Sequence, residues 1–310
     1  LAFLSISLLL GGLLLVKDGT AQTAPAWISF DDSTGESAPE LALLSASSQS
    51  IALQADLPGA QAETVRAGGQ IFTRLSGEGY GYPTAIGQPE LPVFRQEVEI
   101  PFGAQVSLEL VSAQYRDVSL SELGQHAIYP LQPPQTKAQD TQTPPFTQDV
   151  AAYTQAGFTP ASPLSLGESS TVRGHRILLV EVWPVAYDPV VGSLRLYSQV
   201  VFRLRLDGAD MTLTSQLARR YASPEFDHSL SSRVLNYNQG LALPEVEDVG
   251  YLIITADAYY DAIQPLAALR ASRGFTVTVA RLSDLSGSTT QAIKDYIQAA
   301  YDTWALPPSY

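Results

Sequence analysis

Three histidines, His126, His175 and His228, are the only imidazoles in the chain, and no cysteine accompanies them. Metal ligands gather at short, repeated spacings, whereas these three stand far apart, so no metal site is expected. Without a thiol there is no disulfide framework, no Cys-based zinc site and no thiolate nucleophile. Asp31-Asp32 could offer carboxylate oxygens to calcium, but a solvated loop is the simpler reading. Gly77-Glu78-Gly79-Tyr80-Gly81 resembles a dinucleotide fingerprint only in its glycines. It lies between strand-like segments and opens no helix, which predicts a hairpin turn. Neither a Gly-x-Ser-x-Gly elbow nor a P-loop is present. Asp257 and Asp261 follow an apolar run of the type whose end carries ligand sites in α/β folds; helix capping explains them as well and is preferred.

Any such residues must be positioned by two different kinds of segment. Up to about residue 210 the signals are those of short strands with Gly and Pro punctuation: 50–55, 70–75, 94–100, 105–111, 176–182, 193–197 and 200–206. Residues 105–111 alternate as a strand with one wet face should, and no convincing helix interrupts the set. This predicts an all-β, sandwich-like unit, with Trp183 and Tyr187 as core or corner residues. Residues 132–145, rich in Pro, Gln and Thr, read as an extended loop. From 211 to 248 the alternation is lost, which predicts a partly helical, exposed linker.

After residue 248 the pattern changes. Tyr251-Leu252-Ile253-Ile254-Thr255 is a continuous apolar run, typical of a parallel strand buried on both faces. A helix with Ile263, Leu266 and Leu269 on its buried stripe comes next, interrupted at Pro265 and closed by Gly274. Residues 275–279 form a second strand. Ser288 is expected to cap a second helix, with Gln291 completing a capping box and Ile293, Ile297, Ala300 and Trp304 on one face. The order is β-α-β-α, the beginning of a parallel sheet whose remaining strands are expected beyond Tyr310.

The composition of the 310 residues is that of a globular chain: 45% hydrophobic and only 16% charged. The formal net charge of −13 leaves no basic face for nucleic acid. Residues 1–16 are almost wholly apolar but fall short of the roughly 20 that span a bilayer comfortably. Gly19-Thr20-Ala21 follows, so residues 1–21 read as a signal peptide without its natural start, cleaved after Ala21 to leave a chain beginning near Gln22. An uncleaved anchor is the alternative. The membrane is otherwise not an expected partner, and the protein is expected to be secreted or at the cell surface.

Several motifs together carry a family resemblance. Gly87-Gln88-Pro89-Glu90-Leu91-Pro92, Ile100-Pro101-Phe102-Gly103-Ala104, Tyr129-Pro130-Leu131-Gln132-Pro133-Pro134, Arg173-Gly174-His175-Arg176, Trp183-Pro184-Val185-Ala186-Tyr187-Asp188-Pro189 and Gly192-Ser193-Leu194 resemble the propeptide of gingipain-type cysteine peptidases. Tyr251-Leu252-Ile253-Ile254-Thr255, Gln264-Pro265-Leu266, Arg273-Gly274-Phe275, Ala292-Ile293-Lys294-Asp295-Tyr296-Ile297 and Tyr301-Asp302-Thr303-Trp304 resemble the opening of the peptidase domain.

The resemblance implies a β-rich propeptide over 22–210, a linker over 211–248, and over 249–310 the first part of a caspase-like α/β peptidase domain. It further implies a His–Cys catalytic pair placed late in that sheet. No catalytic residue can be assigned here, and the pair is expected after residue 310. The partners implied are the chain's own peptidase domain, covered by the prosegment, and protein or peptide substrates; no cofactor is implied, with calcium left open. Arg219, Arg220 and Arg233 are candidate maturation cuts for an Arg-preferring peptidase. The competing reading is a secreted β-sandwich interaction module joined to a non-catalytic α/β partner, and a carbohydrate-binding module is a third.

Overall fold

Apolar and polar side chains alternate across residues 193–207 except around Ser198, and in the computed structural model this whole stretch is one 15-residue strand. The structure describes residues 25–31, 35–134, 144–238 and 248–310. In chain order the strands are β1 (Ala26–Ser29), β2 (Glu40–Ala46), β3 (Ser50–Asp56), β4 (Gly59–Ala67), β5 (Gln70–Ser76), β6 (Tyr80–Gly81) and β7 (Val93–Ile100). They continue with β8 (Gln105–Ser119), β9 (Leu164–Val172), β10 (His175–Val182), β11 (Val185–Asp188) and β12 (Ser193–Asp207). Helix α1 (Val150–Thr154) lies between β8 and β9, and α2 (Met211–Arg220) and α3 (Pro224–Ser231) come after β12. The last part holds β13 (Val249–Thr255), α4 (Tyr260–Ala271), β14 (Phe275–Arg281) and α5 (Thr290–Thr303).

Strand β12 organises the first unit. One of its edges pairs with β8 from Ser193↔Ser119 to Asp207↔Gln105. The other pairs with β11 through Leu196↔Val185 and then with β3 through Phe202↔Leu53. The register shifts between Tyr197 and Gln199, and the Ser198 carbonyl turns to accept the Leu57 N–H at 2.8 Å. That bulge is why the sequence reads as two strands where there is one. A four-stranded sheet, β6-β7-β10-β9, shares a core with this layer. Leu53, Leu196, Phe202 and Leu204 from one sheet and Val98 and Val180 from the other are all fully buried. Each large side chain so buried contributes about 1.5–3 kcal/mol. A three-stranded sheet, β1-β4-β5, completes the β-rich unit, and all its described pairings between named strands are antiparallel.

Four expectations about local structure need correction. The glycines at 77–81 make a tight turn, with Tyr80 N–H donating to the Gly77 carbonyl at 3.3 Å, but β6 pairs with β7 and not with β5. The turn therefore hands the chain to another sheet instead of closing a hairpin. A short helix, α1, does occur; Asp149 caps it by accepting from Ala151 N at 3.0 Å. Helix α4 runs through Pro265 to Ala271, while Gly274, at φ 92°, terminates the turn after it. Thr289, not Ser288, caps α5, accepting from Ala292 N at 3.2 Å, and Gln291 instead donates to Asp295.

In the last part β13 and β14 are parallel, in register from Val249↔Phe275 to Thr255↔Arg281. Residues 308–310 also run parallel to β13: Ser309 N–H donates to Gly250 and Leu252 N–H donates to Tyr310, each at 2.8 Å. Residues 251–255 are half-buried instead of enclosed on both faces. Leu252, Ile254, Ile293 and Ile297 line an open apolar groove of about 420 Å³, so the expected apolar stripe of α5 is only partly covered. None of the helices among the described residues is long and apolar enough to cross a membrane.

Candidate functional site

Along β10, Leu178, Val180 and Val182 enter the shared core, while Ile177 packs on the opposite side against Leu230 of α3 and Val234. This second face is where the chain after β12 returns. Asp210 caps α2 by accepting from Leu213 N at 2.8 Å, and Thr214 and Ala218 are its buried residues. Thr214 also ties the helix to the sheet, because its hydroxyl accepts the Phe102 N–H at 2.9 Å. Residues 233–238 then run beside β7. Leu235 N–H donates to the Glu97 carbonyl at 3.0 Å, and the Gln96 amide donates to the Arg233 carbonyl at 2.5 Å. The expectation of an exposed linker over 211–248 is therefore corrected for 211–238, which is packed onto the sheet; residues 239–247 lie outside the described residues.

The tail is held by a buried polar network centred on Glu99. Its carboxylate lies 2.7 Å from His175 Nδ1 and accepts the Asn238 N–H at 2.8 Å. The Asn236 side chain brackets the Glu99 backbone, accepting its N–H at 2.7 Å and donating to its carbonyl at 2.9 Å. His175 is fully buried, and its Nε2 lies 3.3 Å from the Tyr237 hydroxyl, which donates to Asp227 at 2.6 Å. Burial pushes the Tyr237 phenol well above its ordinary range, and the Asp227 carboxylate adds to the rise. The network joins β7, β10, α3 and the tail, and it binds chain segments together. Only His175 of these residues stands out in the sequence. Glu97 and Glu99 sit on one face of a strand, and nothing local shows that a folded-back tail buries the second of them.

The residues singled out by type fall elsewhere. Arg219 and Arg220 occupy the last turn of α2, where cations suit the helix dipole. Arg233 pairs with Glu97 at 3.1 Å. Ala21 and Asp32 lie outside the described residues, and Asp31 accepts from the Ser29 hydroxyl at 3.0 Å. Of the 132–145 stretch, residues 135–143 are likewise outside them; its base is closed by Gln132, whose amide donates to Thr147 O at 2.8 Å and accepts Thr147 N–H at 2.9 Å. Asp257 does not cap α4. Its carboxylate accepts both the backbone N–H and the hydroxyl of Ser283, joining the loops after β13 and β14, and these hydrogen bonds hold it below the usual carboxylate range. Asp261 lies in the first turn of α4. His126 and His228 join neither each other nor His175, and no group of three or more metal-capable His, Cys, Asp or Glu residues occurs among the described residues.

Comparison with known proteins accounts for this two-part architecture. The profile of the C25 propeptide (Propeptide_C25) matches residues 31–238, and that of peptidase family C25 matches residues 245–310. Lys-gingipain of Porphyromonas gingivalis is 28% identical over 239 residues, which are 76% of this chain and 14% of that protein. Gingipain R2 of the same organism is 22% identical over 222 residues, covering 70% of this chain and 29% of the relative. The chain thus spans between 14% and 29% of the length of these relatives. Among solved structures, one concerning the zymogenic latency of gingipain K from P. gingivalis aligns with a TM-score of 0.52 at 25% identity, over 60% of this chain and 100% of that one. The complex of the P. gingivalis RgpB pro- and mature domains shares the fold with a TM-score of 0.52 at 20% identity, over 64% of this chain and 97% of its own. The propeptide match covers more than half of the residues and the peptidase match runs from 245 to Tyr310, so the chain belongs to the gingipain family, as a C25 propeptide joined to the start of a C25 peptidase domain.

Proposed function

We propose that this chain is the N-terminal part of a secreted gingipain-type cysteine endopeptidase zymogen, whose β-rich prosegment keeps the peptidase inactive and assists its folding. One observation carries the reading: the propeptide match ends at residue 238 and the peptidase match begins at 245, just before β13. The chain contains no cysteine, so its own part is to cover and hold, and the attacking thiolate belongs to other residues. A caspase-like peptidase domain is supported by the β-α-β-α order, the parallel register of β13 and β14, and the placement of 308–310 beside β13. Inhibition is proposed to come from a loop or an edge strand of the β-rich unit laid across the cleft with main-chain hydrogen bonds. Export through the 1–21 signal segment, leaving Gln22 near the new N-terminus, belongs to the same proposal.

The test is inhibition in trans. The core cluster from Ile28 to Leu206 lies wholly before the linker, so the unit ending at Asn238 contains its own core. Titrating that folded unit against the mature enzyme is expected to suppress hydrolysis of a peptide substrate, while the 310-residue chain alone hydrolyses nothing. Undiminished hydrolysis at saturation, with folding confirmed by circular dichroism, would favour the interaction-module reading.

Maturation cuts at Arg219, Arg220 or Arg233 are also proposed, and the geometry orders them. A protease must draw several residues around the bond into an extended strand. The Arg233–Val234 backbone is clamped by Gln96, Glu97 and a buried Val234, whereas Arg219 and Arg220 are exposed in the last turn of α2, with Arg220 bonded through its side chain to the carbonyls of Asp302 and Trp304. Arg233→Ala is expected to leave the processed masses unchanged, and the double variant Arg219→Ala, Arg220→Ala to remove an early product. Mass spectrometry of the zymogen during processing reads both, and a first cut after Arg233 would reverse the order.

A further inference from the structure

The turn between β9 and β10 is Arg173-Gly174, with φ of 49° and 79°. Two successive positive φ values are what a two-residue hairpin requires, and Asn-Gly or Gly-Gly is the usual solution. Arginine at the first position is strained, since a Cβ there crowds the backbone. Its side chain does not lie back on its own sheet. It reaches the α/β segment, where one guanidinium nitrogen donates to the Pro308 carbonyl at 3.0 Å and another to the Ser309 hydroxyl at 2.6 Å. The guanidinium lies between two rings, 5.1 Å from the centre of Phe226 on α3 and 5.3 Å from that of Tyr301 on α5. Arg173 is 8% exposed although it sits at the tip of a hairpin.

The surroundings extend the contact. Tyr221, at the end of α2, stacks on Tyr301 with ring centres 4.6 Å apart and planes 11° from parallel. Arg220 donates to the carbonyls of Asp302 and Trp304, and the Tyr310 phenol meets the Glu225 carboxylate. Every one of these links joins the propeptide match to the peptidase match.

We propose that the Arg173 hairpin is the anchor by which the prosegment docks on its own peptidase domain, with the end of α5 and residues 308–309 as the surface it grips. The inference deepens the prosegment reading and rests on it for its biological meaning, but the contact can be tested without it. A cation held by carbonyl and hydroxyl acceptors between two aromatic faces makes charge-assisted hydrogen bonds and cation–π contacts together. The strained residue at φ 49° is also the one whose guanidinium reaches Pro308 and Ser309.

The absence of native cysteine allows two spin labels to be placed without background. Labels at Ser169→Cys on β9 and Ala299→Cys on α5, both exposed, report the spacing of the two parts in the 310-residue chain by double electron–electron resonance. A narrow distance distribution is expected for the parent and a broad one for Arg173→Gly. Glycine suits the turn, so the β unit keeps its fold and the loss is assigned to the side chain. Tyr301→Leu, outside the β unit, is expected to broaden the distribution as well. A parent distribution that is already broad, or an Arg173→Gly distribution as narrow as the parent's, overturns the proposal. In trans, Arg173→Gly is expected to raise the inhibition constant about tenfold or more. If the parent prosegment inhibits and Arg173→Gly inhibits equally well, the anchor fails. If spacing responds to Arg173 but no prosegment inhibits, the anchor stands and the zymogen reading fails.

Discussion

Glu99→Ala is expected to cost about 3–5 kcal/mol and to free the tail from residue 233 to 238, because it removes one member of a buried polar pair and leaves the other unmatched. His175 is fully buried and its Nδ1 would lose its 2.7 Å partner. The Asn238 N–H would lose the carboxylate it reaches at 2.8 Å. Glu99→Gln makes the informative contrast. Its amide oxygen can accept from Asn238, and its NH2 can donate to His175 in the other imidazole tautomer, so it is expected to cost a small fraction of that amount. Hydrogen exchange over residues 227–238 and a thermal melt measure both variants. Equal, small effects from the two would show that the tail is held by the Asn236 bracket and by Val234, not by the carboxylate.

How much of this is legible in the sequence depends on the range of the interactions. Period-two alternation marks β3, the start of β8 and most of β12, while short apolar runs bounded by turn residues mark β5, β7 and β10. It does not identify β4 or β9. Gln61, Glu63, Ser165, Glu168 and Ser169 give these strands little apolar contrast, and partner strands define them instead. The extent of β8 is hidden for a similar reason: residues 112–119 are mostly polar, and pairing with β12 carries the strand on from Ser112 to Ser119. In the α/β segment the continuous apolar run and the Gly274 stop are enough to place two strands and two helices. Pro265, the sixth of the twelve residues of α4, does not end the helix, although it removes one internal hydrogen bond.

The site is less legible still. Arginines in a stretch without alternation look like an exposed linker, but Thr214, Ala218, Leu230 and Val234 are spaced to bury one side of α2, α3 and the tail on the second face of the four-stranded sheet. That face becomes visible only once β10 is known to be buried on both sides. Glu99 illustrates the limit: a glutamate in an alternating strand reads as solvent-facing, and the group that buries it comes from 137 residues further along the chain. The Arg173-Gly174 pair does carry a usable signal. A strained arginine in a two-residue turn points away from simple turn chemistry, although its acceptors at Pro308 and Ser309 cannot be named from sequence.

Gly174→Ala is expected to be far more damaging than Arg173→Gly, although the two positions are adjacent in one turn. A Cβ at Gly174 would lie 2.3 Å from the Leu217 carbonyl oxygen and 3.1 Å from Ala218 N, both backbone atoms of α2. Backbone cannot rotate aside as a side chain can, so α2 must lift from the hairpin, and the φ of 79° adds a conformational cost to the overlap. Together these suggest a loss of about 2–4 kcal/mol, or a fall in melting temperature of roughly 5–15 °C for a unit of this size. Lifting α2 would also withdraw Tyr221 from Tyr301 and Arg220 from the end of α5, so docking and stability are expected to fall together. Arg173→Gly, by contrast, relieves the turn and is expected to leave the melting temperature of the β unit unchanged or slightly higher while docking is lost. Thermal melts of both variants beside their spin-label distances separate the two effects. A Gly174→Ala protein that melts like the parent would mean that α2 does not pack this closely against the hairpin, and would remove one of the supports on which the anchor rests.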